Sequence, residues 1–177
     1  MIFKKTAIEG AYKIILEKRG DERGFFARGY CEHEFKNQGI MFQIIQANIA
    51  YNPFRNTLRG LHYQIKPHGE KKLVRCVKGA IYDVIVDLRI NSPSYMKWIG
   101  VELDAENRTM LYVPKGCAHG YQTLSDDSEI FYMVSAFYAP ESERGINWSD
   151  PAFNIDWKKG GEMIISDKDK NWPEFTI

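Results

Sequence analysis

The stretch IYDVIVDLR, residues 81 to 89, sets Tyr82, Val84, Val86 and Leu88 on one face of an extended chain and Asp83, Asp87 and Arg89 on the other. One face is built to pack and the other to stay polar, the pattern of a half-buried β-strand. The same texture continues from Tyr12 to about Tyr138, where short runs of Ile, Val, Tyr and Phe are broken by Gly, Pro, Asn and Asp. Glu129 to Tyr138 repeats it, with Ile130, Tyr132, Val134, Ala136 and Tyr138 on one face. Helix is expected only over Cys31 to Asn37, with Phe35 as its large apolar residue. Pro140, Pro151 and Gly160-Gly161 predict irregular chain and a short helix toward the C-terminus. Many short strands in one unit, residues 1 to 177, predict an all-β sandwich or jelly roll, whose interior can hold a ligand.

The chain has 177 residues, enough for one full-sized core. Its 24 basic residues against 23 acidic ones give no net field toward nucleic acid or an anionic membrane, so any anionic ligand must be met by local arginines and lysines. Cys31, Cys76 and Cys117 form no CxxC pair, and no signal-like run precedes them, which points to a reducing cytoplasm. No apolar run approaches the roughly 20 residues that cross a bilayer.

Two histidines carry the chemical question. Pro114-Lys115-Gly116-Cys117-Ala118-His119 follows the PxGxxH pattern of cupin barrels, but the HxH pair such barrels use for a metal is His62-Tyr63-Gln64 here. His33 and His68 fall in polar, loop-like settings, so the donors fall short of a metal set and none is expected. On these residues alone, two histidines satisfied in a core remain an equal reading. There is no GxGxxG, GxxxxGK[ST] or GxSxG run. Asp83 and Asp87 sit about 13 Å apart on a strand, too far to share a proton, and read as a solvated or ion-paired face.

Several runs jointly carry a more specific message: DERGFF (21 to 26), QAN (46 to 48), LRGLHYQ (58 to 64), KLVRCVKGAIYDVIVDLR (72 to 89), SPSY (92 to 95), VPKGCAHGYQTL (113 to 124), FYAPESERGINWSDP (137 to 151) and SDKD (166 to 169). In this order they resemble the RmlC-like family of nucleotide-sugar epimerases. The resemblance implies a cupin-type jelly roll, a homodimer, and epimerisation at C3 and C5 of a dTDP-linked 4-keto-6-deoxyhexose without metal or organic cofactor. By position it implies His62 as base, Asp169 as its carboxylate partner, Tyr132 as the acid on the opposite face of the sugar, and Lys72 near the keto oxygen. Arg23, Gln46, Asn48, Arg59, His119, Glu143 and Lys168 match substrate contacts, and Tyr138 the aromatic that stacks on the base. Arg28 departs from the family, which often has glutamate there, and this keeps a CDP-linked sugar or epimerisation at one carbon open. A non-catalytic sugar-nucleotide-binding module is the rival of another class, and a metal-dependent cupin a third.

The implied chemistry is sound on its own terms. A proton next to a ketone leaves as an enolate is formed, which calls for a base near neutrality, a cation at the oxygen and an acid across the ring. Asp169 can orient His62 only if the C-terminal segment folds back over the barrel mouth. On one unbroken strand Tyr132 and Tyr138 lie about 20 Å apart, so they are expected at opposite ends of the substrate. Arg59 and His62 have opposite strand parity, so a bulge or bend at Gly60 is predicted if both face one ligand.

Overall fold

A computed structural model describes residues 1–176. In chain order its elements are β1 (Ile2–Lys5), β2 (Tyr12–Ile15), β3 (Arg19–Asp21), β4 (Gly24–Phe26), α1 (Glu32–Asn37), β5 (Gln46–Asn52), β6 (Thr57–Gln64), β7 (Lys72–Lys78) and β8 (Ala80–Asp87). There follow β9 (Trp98–Asp104), β10 (Met110–Val113), β11 (Cys117–Thr123), β12 (Ser128–Val134), a 3₁₀ turn (Pro140–Ser142), β13 (Glu143–Gly145), β14 (Ile164–Ile165) and α2 (Asp167–Lys170). One sheet runs β1-β2-β10-β7-β12-β5 and faces a second, β13-β6-β11-β8-β9, with β14 added in parallel on β6; β3 and β4 form a separate hairpin. This is the all-β jelly roll expected, and α1 and α2 fall where short helices were predicted.

Between the sheets Val74, Cys76, Ile81, Ile85, Leu111 and Ile130 form a dry core. Its stabilisation follows from apolar area removed from water, roughly 25 cal/mol per Å². The outer face of the second sheet is covered too: Ile146, Phe153 and Trp157 from the C-terminal segment lie on Tyr82, Val84 and Val86. The polar face expected on β8 is therefore corrected, because Ile81 and Ile85 share the inward face with Asp83 and every residue of the strand from Ile81 onward is buried. Asp83 and Asp87 are fully buried, Asp83 against the His119 imidazole and Asp87 ion-paired with Arg89. A third cluster packs Phe35, Ile40 and Phe42 onto Ile14, Leu73, Met110 and Tyr112, covering one end of the first sheet.

The run Glu129 to Tyr138 is corrected as well, since β12 stops at Val134. Ser135 donates its N–H to Lys71 O and accepts the Lys71 N–H on its Oγ, ending the ladder. Gln64 then clamps the departing chain, accepting the Ala139 N–H on Oε1 and donating Nε2–H to Phe137 O. His33, expected in a loop, lies on α1.

Candidate active site

The two facing sheets leave a cavity of about 350 Å³ at one end of the barrel, within the size range of small-ligand pockets. β5, β7 and β12 of the first sheet supply Gln46, Asn48, Lys72 and Tyr132; β6 and β13 of the second supply His62 and Glu143; Tyr138 and Glu70 complete the lining from loops. An adjoining chamber shares His62, Lys72 and Tyr132 with it and adds Arg59, His119 and Tyr121. His62 and Tyr132 thus stand on opposing walls of one space.

Arg59 and His62 face that space together because β6 bulges at the predicted place. His62 pairs with His119 and Arg59 with Tyr121, so Gly60 and Leu61 stand opposite Gly120 alone. Gly60 has φ +109°, and a Cβ there would meet Gly120 Cα and His119 O at 2.7 Å. Only glycine tolerates this backbone and this approach. Arg59 donates Nε–H to Asn52 Oδ1 at 2.8 Å, which steadies the guanidinium.

The C-terminal segment does fold back. Ser166 caps α2, accepting the Asp169 N–H on its Oγ, and α2 brings Asp169 Oδ1 to 2.6 Å from His62 Nε2. Asp169 also accepts the Gly60 N–H and the Trp172 indole N–H. Burial acts to raise its pKa, but the hydrogen bond and charge of His62, with the two N–H groups, outweigh it and hold the carboxyl below its ordinary range. An ionised carboxylate only accepts, so the His62 Nε2 carries a proton in either charge state, and in the neutral imidazole the lone pair is on Nδ1. Gly145, paired with His62 across β13, has no side chain to displace the Trp172 ring that lies edge-on to the imidazole.

His119 makes a second histidine–carboxylate pair, Nε2 to Asp83 Oδ1 at 2.7 Å, while the buried Asp83 Oδ2 has no hydrogen-bond partner. Lys72 Nζ lies 3.1 Å from Glu70 Oε1. The Tyr132 phenol is pushed above its ordinary pKa, chiefly by burial and then by the charge of Glu70, with Arg59 acting the other way. At the rim, Glu143 Oε2 accepts from both Lys168 Nζ at 2.6 Å and Tyr138 OH at 2.8 Å. Burial raises the Glu143 pKa, but these two bonds and nearby charge prevail and lower it.

Tyr138 lines the same cavity as Tyr132, so the expected 20 Å separation along one strand is corrected: the chain turns after Val134 and bends Tyr138 back, its N–H on Gln46 Oε1. Of the predicted site residues, Lys168 and Asp169 stand behind the lining, bonded to Glu143 and His62, and Arg23 lies apart from its own chain's cavity, at the β3–β4 turn, paired with Asp21. Arg28 pairs with Glu34 at 3.6 Å, also outside the cavity. Glu70, Asp83 and Trp172 escaped sequence reasoning; Glu70, two residues before Lys72, was the most findable. Among the described residues no three of His, Cys, Asp or Glu converge as a metal-ligand set.

Residues 5–176 match the family described as dTDP-4-dehydrorhamnose 3,5-epimerase. The chain is 45% identical to the dTDP-4-dehydrorhamnose 3,5-epimerase of Shigella flexneri, over 89% of this chain and 86% of that protein. It superposes on the crystal structure of the same enzyme from Elizabethkingia anophelis with a TM-score of 0.96 at 41% identity, covering 99% and 96% of the two chains. A 3'-monoepimerase from Streptomyces bikiniensis, solved with dTDP-quinovose, gives a TM-score of 0.88 at 36% identity, covering 96% and 85%.

Proposed function

The chain belongs to the dTDP-4-dehydrorhamnose 3,5-epimerase family, and on that footing we propose that it converts dTDP-4-dehydro-6-deoxy-D-glucose to dTDP-4-dehydro-L-rhamnose with His62 as base and Tyr132 as acid. One observation carries the assignment of roles: the Asp169-oriented His62 and the Tyr132 phenol line one cavity from opposing sheets. Inversion at carbon needs a proton removed from one face of the ring and returned to the other, and this placement suits it.

His62 Nδ1 takes the proton from C3 or C5, and the C–H electron pair moves into the ring to give an enolate on the 4-keto oxygen. The Lys72 ammonium compensates that oxyanion, and Asp169 compensates the imidazolium. The enolate pair then takes the Tyr132 O–H proton on the opposite face, restoring the ketone and leaving a phenolate. Proton exchange with water returns both side chains to their starting states. Arg59 is suited to the diphosphate by its forked donors, and His119, held by Asp83, to a neighbouring oxygen. Gln46, Asn48, Tyr138, Glu143 and Lys168 form the rim for the nucleotide, with Tyr138 stacking on the base. No metal or organic cofactor enters these steps.

We also propose a homodimer, supported by the exposed apolar side chains on the outer face of the first sheet, and a cytoplasmic location, supported by three free thiols. No described helix is long and apolar enough to cross a membrane.

Incubation with the dTDP-4-keto-6-deoxyglucose substrate in heavy water tests the function directly. Deuterium is expected at both C3 and C5, and His62→Ala should abolish it. Exchange at C3 alone would replace the reading with 3-epimerisation, the activity carried by the Streptomyces bikiniensis relative. No exchange at either carbon would overturn both.

A further inference from the structure

Glu70 is the one carboxylate of the cavity to which the mechanism assigns no role. Its side chain is 14% exposed and that of Lys72 12%, so the 3.1 Å pair between them is largely withdrawn from water. The loop that carries it is pinned on both sides. Gln64 Nε2 donates to His68 O, and the Lys71 backbone is bonded in both directions to Ser135. Gly69 packs so closely on Lys115 and Gln64 that a Cβ there would overlap the lysine. The backbone on either side of Glu70 is thus fixed at the edge of the cavity, and its carboxylate is turned to Lys72 rather than to solvent.

We propose that Glu70 is a positioning residue for the epimerisation, fixing the Lys72 ammonium toward the substrate's keto oxygen and setting a negative charge beside Tyr132. An ammonium has three N–H donors. Glu70 occupies one, which orients the remaining two and removes the freedom of a four-carbon stem to swing away. The same charge disfavours the phenolate and so favours the proton-bearing form of Tyr132 that an acid must start from; burial acts in the same direction and Arg59 opposes it. The other groups on this space are Arg59, His62 and Tyr63 on β6, His119 and Tyr121 on β11, Lys72 on β7, and Glu143 and Tyr138 at the rim. Glu143 is engaged by Lys168 and Tyr138, and Asp169 by His62, so neither supplies Lys72 with a partner.

The proposal rests on the assignment of Lys72 and Tyr132 given above, and its test separates the two. Glu70→Gln and Glu70→Asp are compared with wild type in steady-state turnover and in phenolate absorbance, each protein titrated against its own Tyr132→Phe counterpart to isolate Tyr132. In Glu70→Gln, kcat should fall about tenfold with KM within about threefold, the signature of a contact that matters in the transition state. The Tyr132 titration and the alkaline limb of kcat should both move to lower pH, and Glu70→Asp should recover most of each. An unmoved titration with unchanged kcat overturns the proposal, as does a rise in KM alone. If wild type exchanges no substrate proton, the catalytic reading falls, and the positioning role with it, whatever the titration shows.

Discussion

Asp169 meets His62, the Gly60 N–H and the Trp172 indole at once, so its carboxylate is fixed before any substrate arrives. Asp169→Asn keeps the shape but offers His62 a single neutral oxygen or an amide that cannot accept. The expected result is a kcat lower by about 10²- to 10⁴-fold with little change in KM, read from steady-state rates. A kcat within threefold of wild type would remove Asp169 from the mechanism. Tyr132→Phe makes the complementary cut: substrate deuteration should persist while epimerised product is largely lost, and full product formation would exclude the phenol as acid. At this scale the sequence spoke through motif positions, which is why His62, Lys72, Tyr132 and Asp169 were all nameable. Asp83 was not, because folding alone brings His119 to it and alternation made it look like an outward-facing charge; Glu70 lies two residues before Lys72, but its place on the cavity wall is set by the loop that carries it.

Strand geometry is where stereochemistry sharpened what the resemblance implied. If Arg59 and His62 face one ligand, their opposite parity calls for a bulge or bend at Gly60, and β6 bulges there. Gly60→Ala combines a strained positive φ with backbone overlap at 2.7 Å, so it should cost more than about 2 kcal/mol in chemical unfolding. Any folded fraction should lose activity, since Arg59 and His62 would no longer share a face. The end of β12 was not legible, because Ser135 and Lys71 close the ladder through a long-range pair that the alternating residues 129 to 138 do not announce. Asp87 organises another element boundary, accepting from the Arg89 backbone and side chain, Ser92 and Ser94 to pin the turn before β9. Burial alone would raise its pKa; these bonds bring it down to about 2. A depressed carboxylate contributes stability that is complete above its unfolded value of about 3.9 and is lost as pH falls through the folded value, here about 2 kcal/mol between about pH 4 and pH 2. Asp87→Asn should therefore lower Tm at neutral pH, with the difference from wild type narrowing across that window; a gap that stays constant would exclude this linkage.

For the whole molecule, composition and strand texture were enough to reach an all-β barrel, but not to say which sheet faces are covered. Both depend on chain without periodicity: residues 146 to 175 blanket the second sheet, while α1 and the residues after it cover only one end of the first. The other end presents Ile49, 68% exposed, beside Tyr51 and Val77, and the buried Arg75 Nε on the same sheet has no hydrogen-bond partner. Such a face, with a donor lacking its acceptor, suits a second copy, and a stable contact would need to bury about 800 Å² on each partner. Arg23 would give such a dimer a stake in substrate binding. Its side chain is 85% exposed at a hairpin outside its own cavity, so the substrate contact implied by resemblance is expected in another copy's cavity. Light scattering should accordingly report twice the 20.5 kDa chain mass. Ile49→Asp should shift the protein toward monomer and raise KM, and Arg23→Ala should raise KM to a similar extent with the dimer intact. A wild-type monomer, or an Arg23→Ala enzyme with unchanged KM, would break the link between assembly and substrate binding.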